Sequence, residues 1–257
     1  MAADRGVRLV AMADLFEDQI ERSYVAIKKQ NPQQTTVNDD HRFVGFDAYR
    51  RLIESDVDVA LIANASRFHA THFEACVEVG LHTFVEKPAA IDPPDVKRVL
   101  AAAEKARQKG LSVVSGQMWR YDPAIREAVK QIHDGRIGRI VAIQITTHRN
   151  NFRLRKRRPG MSEIEYQLYN WTHFSWLSGD FCTASLVHHT DLAAWAMNEE
   201  QPVTAFGMGG RAAPCNESHG DCFDHNSIVY EYADGRKLFA FLIVQPNCYV
   251  EVSDIIM

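Results

Sequence analysis

Short apolar runs alternate with helix-length patterns through the first 115 residues, and that rhythm restricts the fold more than any other feature. Residues 7–13 read as a buried strand ending at Asp14, after which Leu15, Phe16, Ile20, Tyr24 and Ile27 recur at helical spacing. Residues 57–63 form the next strand. A helix from Phe68 through Phe73, Cys76 and Val77 stops at Gly80, where a left-handed cap carries no steric cost. Residues 82–85 are again a strand. Pro93-Pro94 opens a helix that ends at Gly110, and residues 111–115 close the series. Strands separated by helices of this length predict a parallel sheet with helices on its faces.

The pattern changes after residue 115. Asp122 caps a helix with Pro123 in its first turn, running over Ile125, Val129 and Ile132 to Gly135. Longer strands with one-sided alternation follow at 140–147, 203–209, 227–232 and 237–244, with Ala233-Asp-Gly-Arg236 as a hairpin turn. The expected division is an α/β domain over 1–118 and an α+β domain with an open, mostly antiparallel sheet over 119–257.

Composition narrows the function classes. With 46% hydrophobic and 24% charged residues the chain is globular, without repeats or low-complexity tracts. Its 29 basic and 33 acidic residues leave a net charge of −4, which argues against nucleic acid or an anionic membrane as partner. No apolar run spans a bilayer. The first residues carry no export leader, so the expected location is cytoplasmic as written, a longer native form being free to carry a signal. Five cysteines at irregular spacing suit a reducing compartment.

A doubly wound sheet commonly binds a dinucleotide through a glycine loop between its first strand and first helix. The one matching run, Gly207-Met-Gly-Gly-Arg-Ala212, follows a strand but precedes Pro214 and a polar stretch, so it reads as a strand end. Asp14 keeps the dinucleotide idea open. An acid closing the second strand of such a fold bonds the ribose hydroxyls, and Asp14 fits if the chain enters the fold at its second strand. Asp14 equally suits a helix cap.

Ala63-Asn-Ala-Ser-Arg-Phe-His69 followed by Val85-Glu-Lys-Pro88 resembles the glucose–fructose oxidoreductase, inositol dehydrogenase and rhizopine-catabolism family (Gfo/Idh/MocA). Gln117-Met-Trp-Arg-Tyr-Asp-Pro123, Gly135-Arg-Ile-Gly138 and His188-His-Thr-Asp191 with Trp195 match in the same order, so the resemblance covers nearly the whole chain. Glu165-Tyr-Gln, Asn170-Trp171 and Trp176-Leu-Ser-Gly-Asp180 look like a branch with a long insertion. The resemblance implies a Rossmann-like dinucleotide-binding domain (1–118) followed by a substrate and oligomerisation domain (119–257). It implies hydride transfer between NAD, or alternatively NADP, and a sugar, cyclitol or related polyol. Lys87 and His188 are the implied proton-handling pair. Asp14, Ala63, Asn64, His69, Glu86, Lys87 and Arg120 would hold the cofactor, and Tyr121, Tyr166 and Asp191 the substrate. It also implies a cis bond before Pro88, no metal, and a homo-oligomer formed through the open sheet. An acid at the ribose favours NAD, since a carboxylate repels a 2′-phosphate.

The residues support this reading without deciding it. Lys87 closes a parallel strand, where such sheets place ligands, but a solvated strand-end lysine sits equally well there. His188 and Asp191 share a helix face, as a substrate relay or as a structural pair. Three departures qualify the resemblance. The family's acid four residues before the histidine is Ala184 here, the first strand and glycine loop are missing, and the closing strands stop at Ser253-Asp-Ile-Ile-Met257. These departures leave two further readings beside the dehydrogenase: an NAD-dependent, redox-neutral glycosidase of the same family, or a remnant that folds without turnover. Other constellations compete. Cys215, His219, Cys222 and His225 offer metal-ligand types at crowded spacing. Arg149, Arg153, Arg155, Lys156, Arg157 and Arg158 form a basic run able to steer an anionic sugar or to stay solvated. Tyr169, Trp171, Phe174 and Trp176 read mainly as core or interface.

Overall fold

The computed structural model describes residues 4–213 and 216–257. The chain divides into two compact units. One comprises residues 4–64, Phe68–Val85 and Pro94–Ser115, and the other Ala65–Arg67, Glu86–Pro93 and Gly116–Met257.

The first unit is α/β, in the order β1 (Met12–Asp14), α1 (Glu17–Gln30), β2 (Arg42–Val44), α2 (Ala48–Ile53), β3 (Val59–Ile62), α3 (His69–Val79), β4 (His82–Val85), α4 (Pro93–Gln108) and β5 (Val113–Ser115). Every strand pair is parallel, as the alternation predicts. The strands nevertheless form two sheets, β1–β2 and β3–β4–β5, with no ladder between them among the described residues. Leu61 on β3 is accordingly 74% exposed while its neighbours Ala60 and Ile62 are buried with Phe73, Val77 and Val85. Gly80 closes α3 at φ 88°, where a left-handed residue is needed.

Two expectations are corrected. The strand expected over 7–13 begins only at Met12. Before it, Leu9 makes a single bridge to Thr35, and Val7 and Val10 stay exposed, so that apolar stretch has no layer to cover it. β2 and α2 escaped notice because three and six residues are too few to display a period.

The second unit runs α5 (Pro123–His133), β6 (Ala142–Arg149), α6 (Glu163–Tyr169), α7 (Ser175–Ser178), a π-helical turn (Cys182–Leu186), α8 (Val187–Ala196), β7 (Thr204–Gly210), β8 (His225–Glu231), β9 (Lys237–Val244) and β10 (Glu251–Ile256). Asp122 caps α5 by accepting from the Ala124 and Ile125 amides at 2.8 and 3.1 Å. The five strands order as β10-β6-β9-β8-β7, antiparallel except for the β6–β9 pair. Leu238, Ala240, Leu242 and Val244 point inward along β9. Ile143 and Ile145 of β6 join Leu186, Ala193, Ala196 and Met197 in one core between sheet and helix. Burying that apolar area is the main force holding the layers together. β10 lies beyond the expected strands and pairs with β6 from His148 to Ile143.

The Gly207-to-Ala212 run is confirmed as the end of β7. A Cβ at Gly207 would come 2.6 Å from the Ser227 carbonyl oxygen, and one at Gly209 would collide with the Asn226 side chain. Those glycines serve close strand approach.

Candidate active site

The peptide between Lys87 and Pro88 is cis, as the resemblance implies. Lys87 lies two residues past the end of β4, and its turn belongs to the second unit. The Lys87 ammonium donates to the Ala184 carbonyl at 2.7 Å. A π turn releases carbonyls from the regular helical ladder, which is why Ala184 has one to offer. Burial pushes the Lys87 pKa below its ordinary value, the Arg149 guanidinium adds to this, and the Glu86 carboxylate opposes it. Glu86 also accepts from the Lys87 amide at 3.1 Å. Gly116 makes room for that residue, since a Cβ there would lie 2.8 Å from Glu86 Oε2 and 3.1 Å from its Cα.

His188 opens α8 on the same side of the unit. Burial and then the Lys87 charge lower its pKa, and its Nδ1 is buried without a hydrogen-bond partner among the described residues. Trp119 lies against it with ring centroids 5.6 Å apart, and meets the next residue, His189, edge-on at 4.6 Å. His189 is buried and shares its Nδ1 hydrogen with both Asp254 oxygens, at 2.8 and 3.0 Å. The outcome is a lysine and a histidine whose pKa values are both lowered, first by burial.

The structure draws Glu86, Lys87 and His188 together, with Ala184 supplying a carbonyl in place of an acidic side chain. Asp191 sits one turn along α8, but both of its oxygens go to Arg120, at 2.9 and 3.0 Å. Asp191 therefore orients Arg120 rather than His188. Arg120 also binds Glu199 and lies over Trp195, and the paired acids hold its charge firmly. Tyr121 is 58% exposed. Tyr166 is only 1% exposed, and its hydroxyl donates to the Ser218 carbonyl at 2.8 Å, so its ring belongs to the core and is not gathered with the lysine.

In the first unit, Asp14 closes β1 and accepts from the Phe16 amide at 2.9 Å, the turn-capping role held open for it. Its acceptor chemistry at a strand's carboxyl end also suits a ribose diol. Asn64 follows β3, and its carbonyl meets His69 Nε2 at 3.0 Å, which fixes the turn containing Ala63 and buries His69. The described residues thus fit the ribose part of a dinucleotide, while no glycine-rich turn opens a helix of this unit for the pyrophosphate.

Cys215 lies outside the described residues. His219 is engaged with Asn216, His225 with Asp224, and no metal-holding group of side chains occurs among the described residues. Within the basic run, Arg155 and Arg158 lie over Tyr169, and Arg157 over Tyr166 while paired with Glu163. Sequence reasoning missed the site contributions of Arg149, Ser185, Trp119 and Gly116. The available signal for Arg149 was its place at the end of an alternating strand, which the count of neighbouring cations obscured. No helix among the described residues is long and apolar enough to cross a membrane.

Two family models match the chain. Residues 8–114 match the oxidoreductase family's NAD-binding Rossmann fold, and 129–250 match its C-terminal alpha/beta domain. A glycosyl hydrolase family 109 protein of Shewanella sp. (strain W3-18-1) is 25% identical over 91% of this chain and 44% of its own length. Inositol 2-dehydrogenase 4 of Saccharopolyspora erythraea is 28% identical over 77% of this chain and 55% of its own. The crystal structure of myo-inositol 2-dehydrogenase from Lactobacillus plantarum superposes with a TM-score of 0.73 at 22% identity, covering 98% of this chain and 67% of that one. The chain thus spans about half the length of these curated relatives.

Proposed function

Because the chain belongs to the Gfo/Idh/MocA oxidoreductase family, we propose that it transfers hydride between NAD and a sugar, cyclitol or related polyol. The observation that carries this reading is the partly buried Lys87 side chain, seated on the Ala184 carbonyl beside His188, whose Nδ1 has no hydrogen-bond partner among the described residues. In its neutral form Lys87 accepts the proton of the substrate hydroxyl. His188 stands ready to pass that proton on, and Trp119 holds its ring in place. Glu86 tempers the cationic surroundings. The nicotinamide, when bound, takes the hydride. Asp14 would meet the adenosine ribose and favour NAD over NADP, with Ala63, Asn64 and His69 framing the adjoining turn and Tyr121 exposed to substrate.

A second reading draws on the glycosyl hydrolase family 109 relative, which matches 91% of this chain. A redox-neutral glycosidase would release nitrophenol from a nitrophenyl glycoside with no build-up of NADH. The exposed face of the β-sheet, with Phe206 and Met208 outermost, supports assembly into a homo-oligomer.

A fluorescence titration with NADH, followed by a polyol panel, tests the dehydrogenase reading. Saturable binding and NADH production are expected, with turnover in Lys87→Ala reduced by a factor of about 10² to 10⁴, as for loss of a general base. Binding of neither cofactor nor polyol by the folded chain rejects the reading in favour of a non-catalytic remnant.

A further inference from the structure

We propose that Arg149, beside Lys87, is an acid-recognising residue, so that the site takes a sugar or cyclitol bearing a carboxylate. This rests on the polyol reading above and adds to it the substrate's charge.

The argument begins with where the two cations are tied. Lys87 Nζ holds the Ala184 carbonyl, and Arg149 Nη1 reaches the hydroxyl of the next residue, Ser185, at 3.4 Å. Two positive side chains therefore converge on adjacent residues of one π turn, close enough for Arg149 to lower the Lys87 pKa. Neither forms an ion pair among the described residues. Three other partly buried arginines are by contrast paired with acids: Arg98 with Glu74 and Asp95, Arg120 with Asp191 and Glu199, Arg236 with Asp234 and Glu200. Glu86 is the one carboxylate that acts on Lys87, and it does not offset Arg149 by an ion pair.

Arg149 is also shaped for the task. Its guanidinium lies over the Phe152 ring, 4.5 Å from the centroid, a contact that restrains the side chain. The bond to Ser185 is long, leaving most of its N–H donors for a planar acceptor. A guanidinium fork matches a carboxylate in geometry as well as charge, which an ammonium does not. Ala184 contributes no charge of its own to repel an acidic ligand. An anion on the Arg149 fork offsets a charge that no carboxylate pairs among the described residues, a source of specificity that neutral sugars cannot use.

Calorimetric titration of the full chain, with NADH present, tests this using matched pairs: D-glucuronate against D-glucose, and D-galacturonate against D-galactose. At least one acid is expected to bind about tenfold or more tightly than its neutral counterpart, as a charge-assisted bidentate contact provides. Added salt should weaken the acid alone. Arg149→Gln should bring the pair level, whereas Arg155→Gln, in the same basic run but stacked on Tyr169, should leave the preference intact. Equal affinity within both pairs in the unaltered chain overturns the inference and needs no variant to do so. A preference that survives Arg149→Gln, or vanishes in Arg155→Gln, overturns it as well. Absence of binding by every acid and every neutral sugar removes the polyol reading itself.

Discussion

His72 stacks on Tyr49 with ring centroids 4.2 Å apart, and burial lowers its pKa to about 4. The unfolded chain holds this imidazole near the ordinary 6.5, so between the two values the unfolded state binds more protons. Stability from His72 is thus complete above pH 6.5 and is lost as pH falls toward 4. Allowing for its partial exposure, the loss is about 2 kcal/mol. Urea unfolding at successive pH values should show this slope, and His72→Gln should flatten it. Tyr166 invites a different measurement. Its hydroxyl meets only protein in the bond to Ser218, so Tyr166→Phe should cost about 1 kcal/mol of stability. Polyol affinity should be unchanged; a large rise in the sugar's dissociation constant would restore Tyr166 to the ligand-binding set. Lys87 and His188 were legible as chemistry because Glu-Lys-Pro and His-x-x-Asp are local patterns. The true partner of Asp191 was not, because Arg120 lies 71 residues away in sequence.

At the scale of the element, the strands and helices that could be read are those with enough residues to repeat. α5 announces itself through Asp122 and Pro123, and α3 through Gly80. The π turn at Cys182–Leu186 had no comparable signature, since its apolar residues continue smoothly into α8. Yet this turn supplies the carbonyl and hydroxyl on which both cations rest, so the least legible element shapes the site most. β7 shows how an element can mimic a motif. Its glycines exist because β8 runs against them, and Gly207→Ala should therefore displace this edge strand at a cost of about 1–3 kcal/mol. A lowered denaturation midpoint with NADH affinity unchanged is the expected result. Loss of NADH affinity in a protein of unaltered stability would return the run to a phosphate-binding role.

For the whole molecule, the second sheet has one side sealed by helices and one side open. The alternation along β9 puts Phe239 and Phe241 opposite to the buried Leu238, Ala240 and Leu242, and register places Val229 and Phe206 beside Phe239. Met208 continues this face at 79% exposure. Exposed apolar residues on one sheet face support the proposed homo-oligomer. Light scattering after size exclusion should report a dimer or larger, and Met208→Glu with Phe206→Asp should yield folded monomers; an unchanged mass in the double variant would locate assembly elsewhere. Topology of both units was legible from alternation, but the pairing of β6 with both β9 and β10 was not, because it joins segments about a hundred residues apart. The divided first sheet has a consequence of its own. Two sheets have four borders where one would have two, and among the described residues the borders of β1 and β3 keep backbone amides without a ladder. Those amides should trade hydrogen for deuterium in seconds while the amides of β4 hold theirs, and they give an extended peptide a ready template. Slow clouding on storage at high concentration, suppressed by a short strand-forming peptide laid along β3, is the behaviour such borders confer.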